Sequence, residues 1–299
     1  MNKPLVTISV LTYNSSSTVL ETLESIKAQT YPNLILQIVD DCSTDTTVKI
    51  CERWIAENKE RFAKTKITIP EHNTGVSANS NRAWDECETE WFKSIAGDDI
   101  LLPNCIEEYM NYVSVHEDAV LLFCKIKCFG PNKEYVEHVE DFFDYSIFKL
   151  SSKEQLDRLL TKGNCIPAAT CFCNINKVRI FGLRHDERIP MMEDYPLWIN
   201  AIKAGVNMCF IDKTLVKYRV GSGVSTSEPS LRFSISKRLF NTYYVLPYMM
   251  AKDPDKALDT IAKYETELLT EYYNVQNSKP IKLRNTIMMF YYRYIQFWK

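Results

Sequence analysis

Through its first hundred residues the chain alternates short β-branched runs with helical patterns. Residues 5–12 (LVTISVLT) read as a buried strand, ended by the polar break at Tyr13 and Asn14. Ser15–Ser17 and Thr18 are hydroxyl residues placed to cap a helix running to about Gln29. Pro32 turns the chain into LILQIV at 34–39. The acidic loop Asp40–Asp45 follows, where Thr44 or Asp45 can cap a helix carrying Val48, Cys51, Trp54 and Ile55. Lys66–Ile69 is a third strand, Gly75 precedes a helix over 76–87, and Trp91–Ala96 is a fourth strand ending at Gly97. Such alternation predicts an α/β domain, Rossmann-like, with a mostly parallel central sheet and helices on both faces.

The pattern then loosens. After Pro103 it gives a helix to about Val115 and a strand at 119–127. The aromatic and acidic stretch 129–150 reads as a loop or excursion over the sheet's edge. Helices are expected at 152–161 and 193–204, and strand-like runs at 208–211 and 215–220 flank Asp212. From 230 onward the chain carries long helical patterns rich in Tyr, Met and Leu, broken at Asp253–Pro254 and at Pro280. The expected organisation is a ligand-binding domain over 1–228 and a helical C-terminal appendage over 229–299.

Composition narrows the classes. A chain of 299 residues with 25 % charged and 45 % hydrophobic residues can bury a sizeable core. A formal net charge of -2 gives no compositional support for a nucleic-acid partner. The first strand is followed by TYNSSS, with none of the glycines that a dinucleotide-binding turn requires. No window is apolar for long enough to span a membrane, and the N-terminal run lacks the form of a signal peptide. The ten cysteines show no paired spacing and mostly sit in apolar runs, which favours reduced, buried thiols in a cytoplasmic protein. The four histidines show no ligand spacing either.

Candidate chemistry gathers at strand ends, where ligands bind in open α/β sheets. Asp40 and Asp41 follow the second strand; Asp98 and Asp99 follow the fourth. Carboxylates in such places suit Mg²⁺ or Mn²⁺, which take hard oxygen ligands and share them with phosphates; Asp is also an ordinary turn and cap residue. Glu193 and Asp194 open a helix, where a carboxylate can serve catalysis or simply face the helix dipole. Arg219 with Gly221, Ser222, Gly223 and Ser225 is either a donor-rich loop for a diphosphate or a plain glycine turn.

Six segments in order resemble the inverting family 2 glycosyltransferases of the GT-A fold. They are VTISVLTYN at 6–14, IVDDCSTDTT at 38–47, HNTGVSANSNRAW at 72–84, AGDDILLP at 96–103, MMEDYPLW at 191–198 and YRVGSGVS at 218–225. The resemblance covers roughly residues 4–226 and implies a nucleotide-diphosphate sugar donor, with a UDP-hexose or UDP-N-acetylhexosamine as the family's expectation. It implies that Thr12, Tyr13 and Asn14 line the base and ribose pocket and that Asp40 contacts the base, while Asp41 orders the loop with Ser43 and Asp45. Asn79 and Arg82 border the donor, Asp98 and Asp99 bind the metal and ribose, and Arg219 with Ser222 meets the diphosphate. Many members carry a further Asp where this chain has Ala96. Asp194 aligns with the general base, which takes the acceptor hydroxyl's proton as attack inverts the anomeric centre.

The resemblance also implies a glycan or lipid-linked glycan acceptor and a place in bacterial surface-polysaccharide synthesis. The C-terminal stretch 280–299 mixes basic and aromatic residues. That suits peripheral contact with the inner face of the cytoplasmic membrane, packing on its own domain, or contact with a second copy in a homodimer. The rival functions are a sugar-1-phosphate nucleotidyltransferase, which would need a glycine-rich phosphate loop early in the chain, and a non-catalytic nucleotide- or glycan-binding relative. A processive synthase would need spanning helices.

Overall fold

The computed structural model describes residues 3–221, 231–254 and 257. The chain divides into two compact units, Met1–Ser227 and Glu228–Lys299. In the first, the β-branched runs become β1 (Val6–Thr12), β2 (Leu34–Asp40), β3 (Lys64–Thr68) and β4 (Trp91–Ala96). They are followed by β5 (Ile100–Leu101), β6 (Leu121–Phe129), β7 (Phe172–Asn174) and β8 (Met208–Arg219). All join one sheet in the order β3-β2-β1-β4-β7-β6-β8-β5. The first four strands pair in parallel. The second half is mixed: β7 runs antiparallel to β4 and β6, β8 runs parallel to β6, and β5 antiparallel to β8.

Two-residue periodicity sorts the strands' side chains to two faces. Val6, Ile8 and Val10 of β1 and Leu34, Leu36 and Ile38 of β2 pack with helices α1 (Val19–Lys27), α2 (Thr47–Asn58) and, after α3 (Val76–Asp85), α4 (Cys105–Val113). The opposite face meets α3, where Gln37 donates to the Ala83 carbonyl at 3.1 Å. On that second face Phe123 of β6 makes an edge contact at 4.9 Å with the buried Trp198. Helices α5 (Lys133–Phe142), α6 (Ser152–Lys162), α7 (Ile175–Ile180) and α8 (Asp194–Lys203) complete the unit. Buried Lys93 on β4 donates to the carbonyls of Ser94, Ala169 and Cys171 at 2.6, 2.5 and 3.2 Å. A buried polar group of this kind is tolerated because its hydrogen bonds are made to protein carbonyls.

The α/β expectation holds, with three corrections. Residues 129–150 are not a loop: they hold α5 and a tight turn at Tyr145–Lys149, with Asn132 accepting from Tyr135 N as the helix cap. The runs at 208–211 and 215–220 form one strand, because the register slip beside Cys124 and Lys125 absorbs Asp212 and Lys213. Thr18 makes no cap hydrogen bond; its hydroxyl reaches the Gly97 carbonyl instead. Asp45 does serve the start of α2, accepting from Thr47 N at 2.9 Å.

In the second unit, α9 (Leu231–Phe240) and α10 (Leu246–Lys252) are joined by a wider π-type turn, Asn241–Val245. Phe240, Tyr244, Val245 and Met249 are buried. Among the described residues no helix is long and apolar enough to cross a membrane. Residues 280–299 and Ser222 lie outside the described residues.

Candidate active site

The parallel register places the candidate residues on one rim. Thr12 pairs with Asp40 at the ends of β1 and β2, and Gly97 just past β4 donates its N–H to Leu11 O at 2.9 Å. Asp40 is 1 % exposed and accepts from Thr12 Oγ1 at 2.7 Å, Ser43 N at 2.7 Å and Ser43 Oγ at 2.6 Å. The loop-ordering role expected of Asp41 with Ser43 therefore belongs to Asp40. Asn14, at φ 51°, ties the same loop down: its side-chain oxygen accepts from Thr44 N at 2.9 Å and its N–H donates to Ser43 Oγ at 2.8 Å. Tyr13 stands 49 % exposed above this network. It is the one side chain of the three in TYN that offers an open aromatic face.

Asp41 reaches across to the next crossover. Its carboxylate accepts from Thr74 N at 3.0 Å, Thr74 Oγ1 at 2.7 Å and Gly75 N at 2.7 Å, and Arg82 lies 3.9 Å away. Asn79 is 2 % exposed, donating to Val39 O at 2.9 Å and accepting from Arg82 at 2.5 Å. Asn79 therefore fixes Arg82 and the end of β2 rather than standing open to a ligand. Gly75 explains why the chain has no side chain there: a Cβ would sit 2.8 Å from Pro190 O. The hydroxyl of Ser77 donates to Ile189 O at 2.6 Å, so the start of α3 is docked on the segment leading to α8.

The Asp98–Asp99 turn is not a symmetric pair. Asp98 is half-buried, whereas Asp99 is 2 % exposed and accepts from the backbone N–H of Arg219 at 2.8 Å. Burial, and next the charge of Asp98, push the Asp99 carboxyl well above the ordinary range; the Arg219 N–H opposes this. The Arg219 guanidinium donates to Asp98 O at 2.8 Å and to Glu21 at 2.6 Å, and lies over the Phe129 ring at 4.4 Å. Among the described residues no group of three or more His, Cys, Asp or Glu side chains gathers as a ready metal cage. A half-buried carboxylate backed by a buried one does fit a Mg²⁺ or Mn²⁺ that draws most of its ligands from water and phosphate.

Asp194 opens α8 with its own hydrogen bonds: Oδ1 accepts from Tyr195 N at 2.7 Å and Oδ2 from Asn164 Nδ2 at 2.8 Å. Burial raises its pKa; those donors, and at longer range the Trp198 indole N–H, pull it down. The indole nitrogen itself is buried outside hydrogen-bond geometry. Burial and the charge of Asp194 push Glu193 up to about 8. His185, held neutral at about 4 by burial, contacts Glu193 O at 2.9 Å and packs on Trp84 at 4.4 Å between ring centres. Asn164 carries no signal in the sequence, because an isolated Asn thirty residues before an acidic helix start forms no local pattern. The structure brings both Thr74 and Gly75 onto Asp41.

A parallel half-sheet with polar residues and carboxylates framing its strand ends is the arrangement of the open α/β class, in which the ligand binds at that rim. The chain belongs to Glycosyl transferase family 2, whose sequence pattern matches residues 7–181, and it is a glycosyltransferase. It is 27 % identical over 249 residues to the uncharacterized glycosyltransferase MJ1057 of Methanocaldococcus jannaschii, covering 82 % of this chain and 79 % of that protein. It is 24 % identical over 220 residues to the putative glycosyltransferase EpsE of Bacillus subtilis, covering 73 % and 74 %. The structure of S. aureus TarS 1-349 in complex with UDP-GlcNAc matches with TM-score 0.62 at 19 % identity, over 90 % of this chain and 73 % of that one. This likeness shows the GT-A-like fold. Against the longer TarS chain, at TM-score 0.60, this chain spans 43 % of the length.

Proposed function

We propose that the protein transfers one sugar from a nucleotide-diphosphate sugar to a hydroxyl of a glycan or lipid-linked glycan, with inversion. The observation that carries the reading is Asp194: a carboxylate held by Asn164 and the α8 backbone, its pKa raised by burial. A UDP-sugar is the favoured donor, supported by the UDP-GlcNAc bound to TarS, a protein of the same fold. Tyr13, with Thr12 and Asn14 behind it, takes the base and ribose; Asp40 shapes the loop under the base. Arg82, fixed by Asn79, borders the donor, and Arg219 with Ser222 supplies positive charge at the diphosphate.

In the reaction, Asp194 accepts the acceptor's hydroxyl proton while the oxygen attacks the anomeric carbon and the bond to the diphosphate breaks. A divalent cation held by Asp98 would offset the charge growing on the leaving diphosphate. Asp99 serves from behind, as a buried acceptor that holds β8 to the acidic turn. The C-terminal region 229–299 is the candidate for membrane-face or homodimer contact, and removing 280–299 should shift the protein from membrane to soluble fractions. The test of function is nucleoside diphosphate release from a panel of nucleotide sugars with Mn²⁺ and a mixed acceptor pool. Acceptor-dependent UDP release, lost on chelation and in Asp98→Asn, supports the reading. Pyrophosphate release from UTP and a sugar-1-phosphate would instead identify a nucleotidyltransferase.

A further inference from the structure

Helix α1 buries two faces. Val19, Leu23 and Ile26 enter the apolar core, as an amphipathic helix should. A second stripe at spacings of four, three and four carries Thr22 and Ser25 on the helix, Thr18 at its N-cap and Gln29 just past its end. Each of these meets the backbone of the acidic turn and the strand that follows it. Thr18 Oγ1 donates to Gly97 O at 2.8 Å, and Thr22 Oγ1 to Asp99 O at 2.7 Å. Ser25 Oγ accepts from Leu101 N at 3.1 Å, and Gln29 Nε2 donates to Leu102 O at 2.8 Å. Glu21, on the same helix, holds the Arg219 guanidinium that donates to Asp98 O. The turn's backbone atoms are thus satisfied in chain order by one helix, and its position follows that helix.

We propose that the polar stripe of α1 is the template that sets Asp98 for cation and diphosphate binding, with Thr22 and Glu21 as positioning residues. The inference rests on the reading that Asp98 holds the cation. Thr22 is 0 % exposed, so its hydroxyl serves only the Asp99 carbonyl and touches no ligand. Glu21 acts from the outer side, through Arg219. Without Thr22 the turn loses the hydrogen bond that fixes the Asp99 carbonyl, and without Glu21 the guanidinium that holds the Asp98 carbonyl loses its anchor. Groups that orient a ligand from behind typically govern metal affinity by about 10- to 100-fold.

The test is calorimetric binding of UDP to the full chain across a Mn²⁺ titration, read as the Mn²⁺ midpoint, with no turnover involved. Thr22→Val is expected to raise the midpoint about 10-fold, Thr22→Ser to restore it, and Glu21→Gln to raise it by less. Ile26→Val, on the apolar face of the same helix, should leave the midpoint in place although it loosens packing. Should Thr22→Val fail to fold, the surface change Glu21→Gln decides alone. Wild-type midpoints in Thr22→Val and Glu21→Gln, alongside a loss in Asp98→Asn, would overturn the template while sparing the Asp98 reading. A wild-type midpoint in Asp98→Asn would overturn both.

Discussion

Gly75 joins two parts of the site, and its replacement by alanine has a magnitude that the geometry supplies. The residue sits at φ 93° and ψ 160°, a region that side-chain-bearing residues enter at a cost of about 1–3 kcal/mol. An added Cβ would also stand 2.8 Å from Pro190 O and 2.9 Å from Pro190 Cβ, and overpacking of that kind costs about 1–3 kcal/mol more. The sum, about 2–6 kcal/mol, is a large share of a typical domain's stability. Gly163 provides the matched control, at φ 100° and ψ 174° with nothing within 4 Å of its would-be Cβ. Gly163→Ala should carry the backbone cost alone. Urea unfolding of both variants, with m-values compared, isolates the Pro190 contact as a difference of about 1–3 kcal/mol. Equal losses in the two variants would refute the close approach of α3's start to the segment before Asp194.

Other consequences follow from the carboxylates around α8. Asn164→Ala removes a donor that stabilises the Asp194 carboxylate, so the acid limb of the pH–rate profile should move to higher pH; an unmoved limb would separate Asn164 from the base. Between its ordinary 4.5 and about 8, Glu193 holds a proton in the folded protein that the unfolded chain has released. Wild-type stability should therefore fall as pH rises through that window, and Glu193→Gln should gain on wild type from pH 5 to pH 9 in thermal unfolding. A difference independent of pH would show that Glu193 does not keep its proton across that window.

Much of the site was legible in the sequence because strands announce their own ends. The runs at 6–12 and 34–40 are rich in β-branched residues and 91–96 opens on two aromatics, and the polar residues just beyond them fall on one rim once the strands pair in parallel. What could not be read was which atom each carboxylate would meet. Asp40 and Asp41 are neighbours on a strand end, so their side chains point opposite ways: one into its own loop, the other to Thr74 and Gly75. Asp98 and Asp99 differ for a related reason, since only Asp99 comes under the β8 backbone at Arg219. The three-residue strand β7 has too few positions to show a period, and α5 lies in a stretch whose aromatic and acidic mixture masks its helical spacing. The polar stripe of α1 was present as Thr18, Thr22, Ser25 and Gln29, but hydroxyls on a helix read as solvent-facing until their partners are in place.

The central claim is that Asp194 is the base of a sugar transfer. It is tested most directly by comparing acceptor-dependent release of UDP from a UDP-sugar by the wild type and by Asp194→Asn, with donor binding measured in parallel. Asparagine keeps the size of the side chain and removes its capacity to take a proton. Turnover should fall by at least about 100-fold with donor affinity unchanged. Turnover equal to wild type would remove Asp194 from the mechanism and place the base elsewhere on the rim.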